Sequence, residues 1–269
     1  MLLGGVNYLT GQVLDMPAIA RHMGSINEAA TARGAPPIPF GLDLAHAIGN
    51  VPLHLHEWKV DFAAWCTYKY LNSGAGCLAG IFVHESHAAD AATYPRLSGW
   101  WGVPFSKRFE MAHAYEEARG AAGFGVSNVN MLMAACAHAS LDVFRRAGGV
   151  ASLRRKSVLL TGYLEALLRE RGLLLDKGVA ADRERTTLEL VTPTDPRQRG
   201  CQLSLRVRPA VSKGGKPMTM RVLEEAMRAH GVVGDAREPD IMRIAPTPLY
   251  NSYTDVLRTV NALQVCLGR

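Results

Sequence analysis

Strands spaced by helices in the first half, and strands of alternating polarity in the second, predict an α/β chain. The expected architecture is a large domain with a mostly parallel sheet over residues 1–149 and a small α+β domain over residues 150–269. Three observations carry it. Short apolar runs at 38–44, 61–67 and 79–84 stand apart, divided by helical or turn-rich segments, as strands buried in a parallel sheet do. Residues 187–191 and 202–207 alternate apolar and polar, the pattern of antiparallel strands with one face covered. A length of 269 residues suits one large or two ordinary domains.

Taken in order, Met1-Leu2-Leu3-Gly4-Gly5-Val6-Asn7-Tyr8 reads as the end of a buried strand, with a turn at Thr10-Gly11. That strand has no evident neighbours before it, so the parallel sheet reads as incomplete on its N-terminal side. Met16, Ile19, Ala20 and Met23 fall at helical spacing, and a helix over 16–33 ends toward Gly34 and the Pro36-Pro37 breaker. The apolar run 38–44 suits a strand buried on both faces. A short helix is expected near 53–58, then strands at 61–67 and 79–84. Residues 96–129 are rich in loop signals, including Gly99-Trp100-Trp101-Gly102 and the glycines of 120–125; long irregular segments in compact proteins often serve function. Two long helices follow, at 130–146 and, after Gly148-Gly149, at 150–171. Beyond the alternating strands come a helix at 218–230, a strand at 241–245 and a closing helix at 254–267.

Composition narrows the function classes. The chain is 48% hydrophobic and 20% charged, which allows a real core. No apolar run approaches the roughly 20 residues that a membrane-spanning helix needs. The first residues lack the basic start and apolar core of a signal peptide, so a cytoplasmic location is the expectation. The net charge is +6, yet the basic residues are scattered apart from clusters such as Arg154-Arg155-Lys156, and no nucleic-acid motif accompanies them. Neither nucleic acid nor membrane is an expected partner. The five cysteines are odd in number and widely spread, and read as reduced, mostly buried thiols in strands or helices. His54-x-His56 and His84-x-x-His87 lack a third ligand at suitable spacing, so no metal is expected.

Three residues carry the chemistry. Asp43 closes one strand, Lys69 follows the next and precedes Asn72-Ser73-Gly74-Ala75-Gly76, and Arg243 lies in the strand at 241–245. Ligands of α/β proteins bind at the C-terminal ends of sheet strands, where Asp43 and Lys69 stand. Singly each has an ordinary reading: a helix cap for Asp43, a solvated amine for Lys69, a surface charge for Arg243. Together they offer what a pyridoxal phosphate enzyme needs. The acid pairs with the pyridine nitrogen, the amine holds the aldehyde as a Schiff base, and the guanidinium clamps a substrate carboxylate.

The wider wording resembles the kynureninase family. It runs through Gly41-Leu42-Asp43-Leu44-Ala45-His46-Ala47-Ile48-Gly49-Asn50 and Trp65-Cys66-Thr67-Tyr68-Lys69-Tyr70-Leu71-Asn72. It continues in Leu97-Ser98-Gly99-Trp100-Trp101-Gly102, Leu153-Arg154-Arg155-Lys156-Ser157, Arg199-Gly200-Cys201-Gln202 and Arg243-Ile244-Ala245-Pro246-Thr247-Pro248-Leu249-Tyr250-Asn251. The resemblance implies the aspartate-aminotransferase fold of pyridoxal phosphate-dependent transferases, a homodimer, and hydrolysis of kynurenine or 3-hydroxykynurenine to anthranilate or 3-hydroxyanthranilate and alanine, within tryptophan degradation and NAD precursor synthesis. It further implies that Lys69 binds the cofactor and moves the α proton, that Asp43 pairs with the pyridine nitrogen, and that His46 sits beside the cofactor. Tyr68 would bond the phosphate and assist proton transfer. Trp100 and Asn128 would reach the phosphate region from the partner subunit, and Arg243 would bind the substrate α-carboxylate.

Departures from the family's pattern are equally specific. The family's long N-terminal part, which binds the phosphate and stacks on the cofactor ring, has no counterpart here. Gly4 stands where a hydroxyl residue is usual, Val129 replaces a proline, and an insert around 24–33 lengthens the loop before the Asp43 strand. The alternative is therefore a catalytically silent chain that associates at most with a full-length subunit. A cysteine desulfurase shares the fold and the Asp–Lys logic but requires a cysteine on a mobile loop.

Overall fold

The computed structural model describes residues 1–87, 95–97, 99–175, 184–210 and 217–269. Ser98, part of one family-like motif, lies outside the described residues. Contacts divide the chain into two compact units: Met1–Gly5 with Asp15–Val143, and Val6–Leu14 with Phe144–Arg269.

The first unit holds a sheet of four strands in sequence order: β1 (Leu2–Gly4), β2 (Gly41–Asp43), β3 (Phe62–Cys66) and β4 (Ala79–Val83). β1–β2 and β2–β3 pair in parallel, and β4 returns antiparallel to β3. The sheet is thus mostly parallel. β1 corrects an expectation: it is an edge strand with Leu2 60% exposed, not a buried one. β2 is also shorter than the apolar run: Ile38 stays exposed, and burial begins at Phe40 and continues through Gly41 and Leu42.

Helix α1 (Met16–Ala32) begins at Asp15, whose carboxylate accepts from the Ala18 N–H at 3.0 Å, and it buries Met16, Ala20, Met23 and Ala30. Its first turn packs close to the chain after β2: a side chain at Gly5 would meet Met16, Leu44 and Ala47. The residues around 24–33 do not lengthen a loop. They continue α1, and Asn27 on that stretch holds the Ile38 backbone by both its N–H (2.8 Å) and its carbonyl (3.0 Å). The helix expected near 53–58 is a single turn closed by Trp58 N–H to His54 O and Val60 N–H to Leu55 O. Residues 99–130 form only short 3₁₀ turns before α2 (Met131–Arg146). Asn130 caps that helix, accepting from Leu132 and Met133 N–H.

The second unit is a five-stranded sheet in the order β5 (Leu174–Leu175), β6 (Thr187–Leu190), β7 (Leu203–Arg208), β9 (Ile241–Ile244), β8 (Asp235–Arg237). All pairings but β5–β6 are antiparallel. Helices α3 (Gly149–Glu170), α4 (Met220–Ala229) and α5 (Tyr253–Cys266) share one core with it, built around Leu160, Leu164, Leu188, Leu205, Leu223 and Leu263. Segment 6–14 joins this unit through Thr192, Gln202 and Ser204, whose side chains donate to the carbonyls of residues 8–10.

All five cysteines are free thiols, but only Cys77 and Cys201 are buried; Cys136 is exposed. Those two buried thiols lie in loops rather than in regular elements. Among the described residues no helix is long and apolar enough to cross a membrane, and no cluster of three metal-ligating side chains occurs.

Candidate active site

Parallel pairing of β2 with β3 sets Asp43 opposite Ala64, so both strands deliver their C-terminal ends to the same edge. Asp43 is the last residue of β2 and is exposed; its Oδ1 accepts from Ala45 N–H at 2.9 Å, which turns the chain sharply toward His46. The next strand ends at Cys66, and a tight turn then presents Tyr68 and Lys69. That turn is firmly held. Thr67 donates from its hydroxyl to Leu78 O at 2.5 Å, Ser73 N–H reaches Thr67 O, and the Ser140 hydroxyl on α2 bonds Leu71 O. Asn72 closes it with a positive φ of 58°, which asparagine tolerates better than most residues.

The Lys69 amine is half-buried and lies 3.0 Å from His46 Nε2, with the Tyr68 ring centroid 5.9 Å away. His46 also meets Tyr70 edge-on at 6.0 Å. Cys66 beside Tyr68 pushes the phenol above its usual value, through a side-chain hydrogen bond first, then charge repulsion, with a smaller contribution from burial. A phenol is already a proton donor at neutral pH, and the shift extends that state to higher pH. Asp43, His46, Tyr68 and Lys69 thus gather at one sheet edge: an acid, an imidazole, a phenol and an amine.

The other sequence-selected residues stand elsewhere. Trp100 donates its indole N–H to Arg108 O at 3.1 Å and meets Trp101 and Phe109 edge-on; Arg108 lies 4.0 Å over the Trp101 ring. Asn128 is exposed. Neither makes a contact with the four-residue cluster among the described residues. Arg243 belongs to the second unit, on β9, with its side chain 11% exposed. Its Nε and Nη2 donate to Asp235 Oδ2, and its Nη1 donates to Tyr8 O at 2.6 Å. Asp235 escaped notice in the sequence because the three-residue strand Asp235-Ala236-Arg237 is too short to show alternation.

An apolar cavity of about 430 Å³ opens beside β3 and β4, lined by Phe62, Ala64, Ile81 and Val83 with the Asp61–His87 pair. None of the seven candidate residues lines it. On this sheet two aromatic rings cover glycines in register, Phe62 over Gly41 and Trp65 over Gly80, where no side chain could fit.

Comparison with known proteins gives a consistent picture. Residues 153–263 match the family model described as kynureninase C-terminal domain. The chain is 48% identical over 268 residues to a kynureninase of Stenotrophomonas maltophilia (strain K279a), covering 100% of this chain and 56% of the relative. It is 44% identical over 267 residues to a kynureninase of Rattus norvegicus, covering 99% of this chain and 52% of the relative. The chain spans about half the length of the curated relatives it matches. Among solved structures, the apo cysteine desulfurase from Thermococcus onnurineus NA1 superimposes with a TM-score of 0.70 at 14% identity, over 99% of this chain and 59% of that one. The cystine C-S lyase C-DES, in complex with cysteine persulfide, gives 0.72 at 17% identity, over 97% and 60%. These likenesses show that the chain shares the fold of those two enzymes.

Proposed function

We propose that this chain, akin to kynureninases along its whole length, bears the lysine-carrying part of a pyridoxal phosphate-dependent hydrolase acting on kynurenine or 3-hydroxykynurenine. The products would be anthranilate or 3-hydroxyanthranilate, and alanine. One observation supports the reading above others: an acid and an amine end adjacent parallel strands, and the amine lies 3.0 Å from an imidazole. The donor set fits the cofactor, since a carboxylate suits a protonated pyridine nitrogen and a primary amine suits an aldehyde. When bound, pyridoxal phosphate supplies an electron sink for charge developing at the substrate's α-carbon.

The chain's own groups then have distinct tasks. Asp43, exposed at the strand end, would hold a proton on the ring nitrogen by charge-assisted hydrogen bonding. Lys69 would bind the cofactor and, once released, take the α proton; His46 at 3.0 Å orients the amine and can receive its proton. Tyr68 would donate to a phosphate oxygen and return a proton during turnover. Trp100 and Asn128 would reach the phosphate region of a partner subunit, in a homodimer. Arg243 would receive the α-carboxylate, for which a planar guanidinium is better suited than an ammonium. The reading extends to a role in tryptophan degradation and NAD precursor synthesis, in the cytoplasm.

The test is direct. Pyridoxal phosphate added to the purified chain should give a visible absorbance band, and borohydride should fix the cofactor's mass on the peptide containing Lys69. Kynurenine should then release fluorescent anthranilate. A chain with neither band nor anthranilate sinks the reading. A band without anthranilate keeps cofactor binding and removes hydrolysis by this chain alone.

A further inference from the structure

We propose that Asp235 is a positioning residue that fixes the Arg243 guanidinium from its side and leaves its far edge for a carboxylate. The inference rests on the reading that Arg243 receives the substrate α-carboxylate. β8 and β9 set Asp235 directly opposite Arg243, a cross-strand pair whose side chains share one face of the sheet. Nε and Nη2 of Arg243 both donate to Oδ2 of Asp235, and Nη1 donates to Tyr8 O at 2.6 Å. A guanidinium has five N–H groups. Three are used here, so one N–H is left on each terminal nitrogen, the pair that a carboxylate accepts as a fork.

The hold is firm on both sides. Gln202 also donates to Tyr8 O at 3.1 Å, and the Ser204 hydroxyl donates to Leu9 O at 2.5 Å, which pins the segment carrying that carbonyl to β7. Arg237 Nε donates to the same Oδ2 at 3.0 Å. Two cations against one anion leave the group net positive, so Asp235 orients Arg243 without cancelling its pull on an anion. The opposing possibility is that Asp235 competes with the incoming carboxylate. That predicts the reverse sign when Asp235 is replaced.

The experiment uses the full chain labelled with ¹⁵N, with pyridoxal phosphate added, and follows the Arg243 Nε–H signal during titration with L-kynurenine; Arg243→Lys identifies the signal. In the wild type this proton should exchange slowly and shift on titration. Asp235→Asn should lose the slow exchange and weaken L-kynurenine binding about tenfold, the scale of one charge-assisted hydrogen bond. Asp235→Glu should restore most of the affinity, and Asp235→Ser serves as a second variant should the asparagine variant misfold. Unchanged or tighter binding in the asparagine or serine variant overturns the proposal, as does a wild-type Arg243 signal that ignores L-kynurenine. The Lys69 band is read on the same sample. A band with an unresponsive wild-type Arg243 fails the carboxylate role of Arg243 and the positioning role with it. A responsive Arg243 that does not depend on Asp235 fails the positioning role alone. A responsive, Asp235-dependent Arg243 without a band fails the cofactor reading alone.

Discussion

Lys69 and Tyr68 are neighbours in sequence with opposite demands: the amine must give up a proton to react, the phenol must keep one to donate. The structure places His46 3.0 Å from the amine and Cys66 against the phenol. The Cys66 contact raises the Tyr68 value above 10.0, so what it adds to folding is present below the unfolded value and is lost as pH rises through the folded one. Replacing Cys66 with alanine should move the Tyr68 titration downward, measured by ultraviolet difference absorbance against Tyr68→Phe. No change would show that the thiol is not the cause. At the same scale, Lys69→Ala should abolish the visible band and the borohydride-fixed mass, while His46→Gln should leave the mass and slow proton transfer. Equal hydrolysis rates in His46→Gln and wild type would remove the imidazole from the mechanism. Lys69 was legible from its place after a strand, whereas His46 and Tyr68 were reached only through the family resemblance. Asp235 was not legible, since its role exists only through a strand pairing.

Single elements make sharper demands on stability than on chemistry. β7 is the central strand of the second unit, with β6 on one side and β9 on the other, and its Leu205 is fully buried in the core. Leu205→Ala should cost about 3 kcal/mol in chemical denaturation, the range for deleting a buried leucine side chain. A cost under about 1 kcal/mol would mean that the core collapses around the cavity. Helix α1 offers a surface counterpart: Asp15→Ala removes its N-cap and should cost about 1 kcal/mol. Gly49 links fold to site. Its φ is +74° and a Cβ there would lie 2.9 Å from the Tyr70 backbone, next to Lys69. Gly49→Ala should therefore disturb the Lys69 turn and weaken the absorbance band at equal protein concentration. An undisturbed band would show that the turn yields without moving the amine. Periodicity revealed α1, α3, α4 and α5 to within a few residues, because each buries a continuous face. It missed β5 and β8, which are too short to have a period, and it read residues 53–58 as a helix where one turn suffices.

Across the whole molecule, among the described residues, three carboxyl groups are held below their ordinary values. Glu189, Asp195 and Asp255 all lie in the second unit. For Glu189, burial alone would raise the value, but Arg208 and Arg206 together win and lower it. Asp195 is lowered by hydrogen bonds from Arg197, and Asp255 by those from Ser252 in the capping box of α5. Depressed carboxyls contribute stability that is present above their unfolded values, near 4.5 and 3.8, and is lost as pH falls through the folded ones. Acid should thus loosen the second unit first. All four tryptophans (Trp58, Trp65, Trp100, Trp101) lie in the first unit, so circular dichroism should fall at a higher pH than tryptophan fluorescence changes. Coincident transitions would contradict this. The order of the longer elements and the mostly parallel first sheet were legible in local pattern, and Asp43, Lys69 and Arg243 stood out as candidates through their chemistry together with the family resemblance. Tertiary pairing alone assigns segment 6–14 to the second unit and sets Asp235 against Arg243. Those facts depend on hydrogen bonds between residues far apart in the chain, which no local pattern encodes.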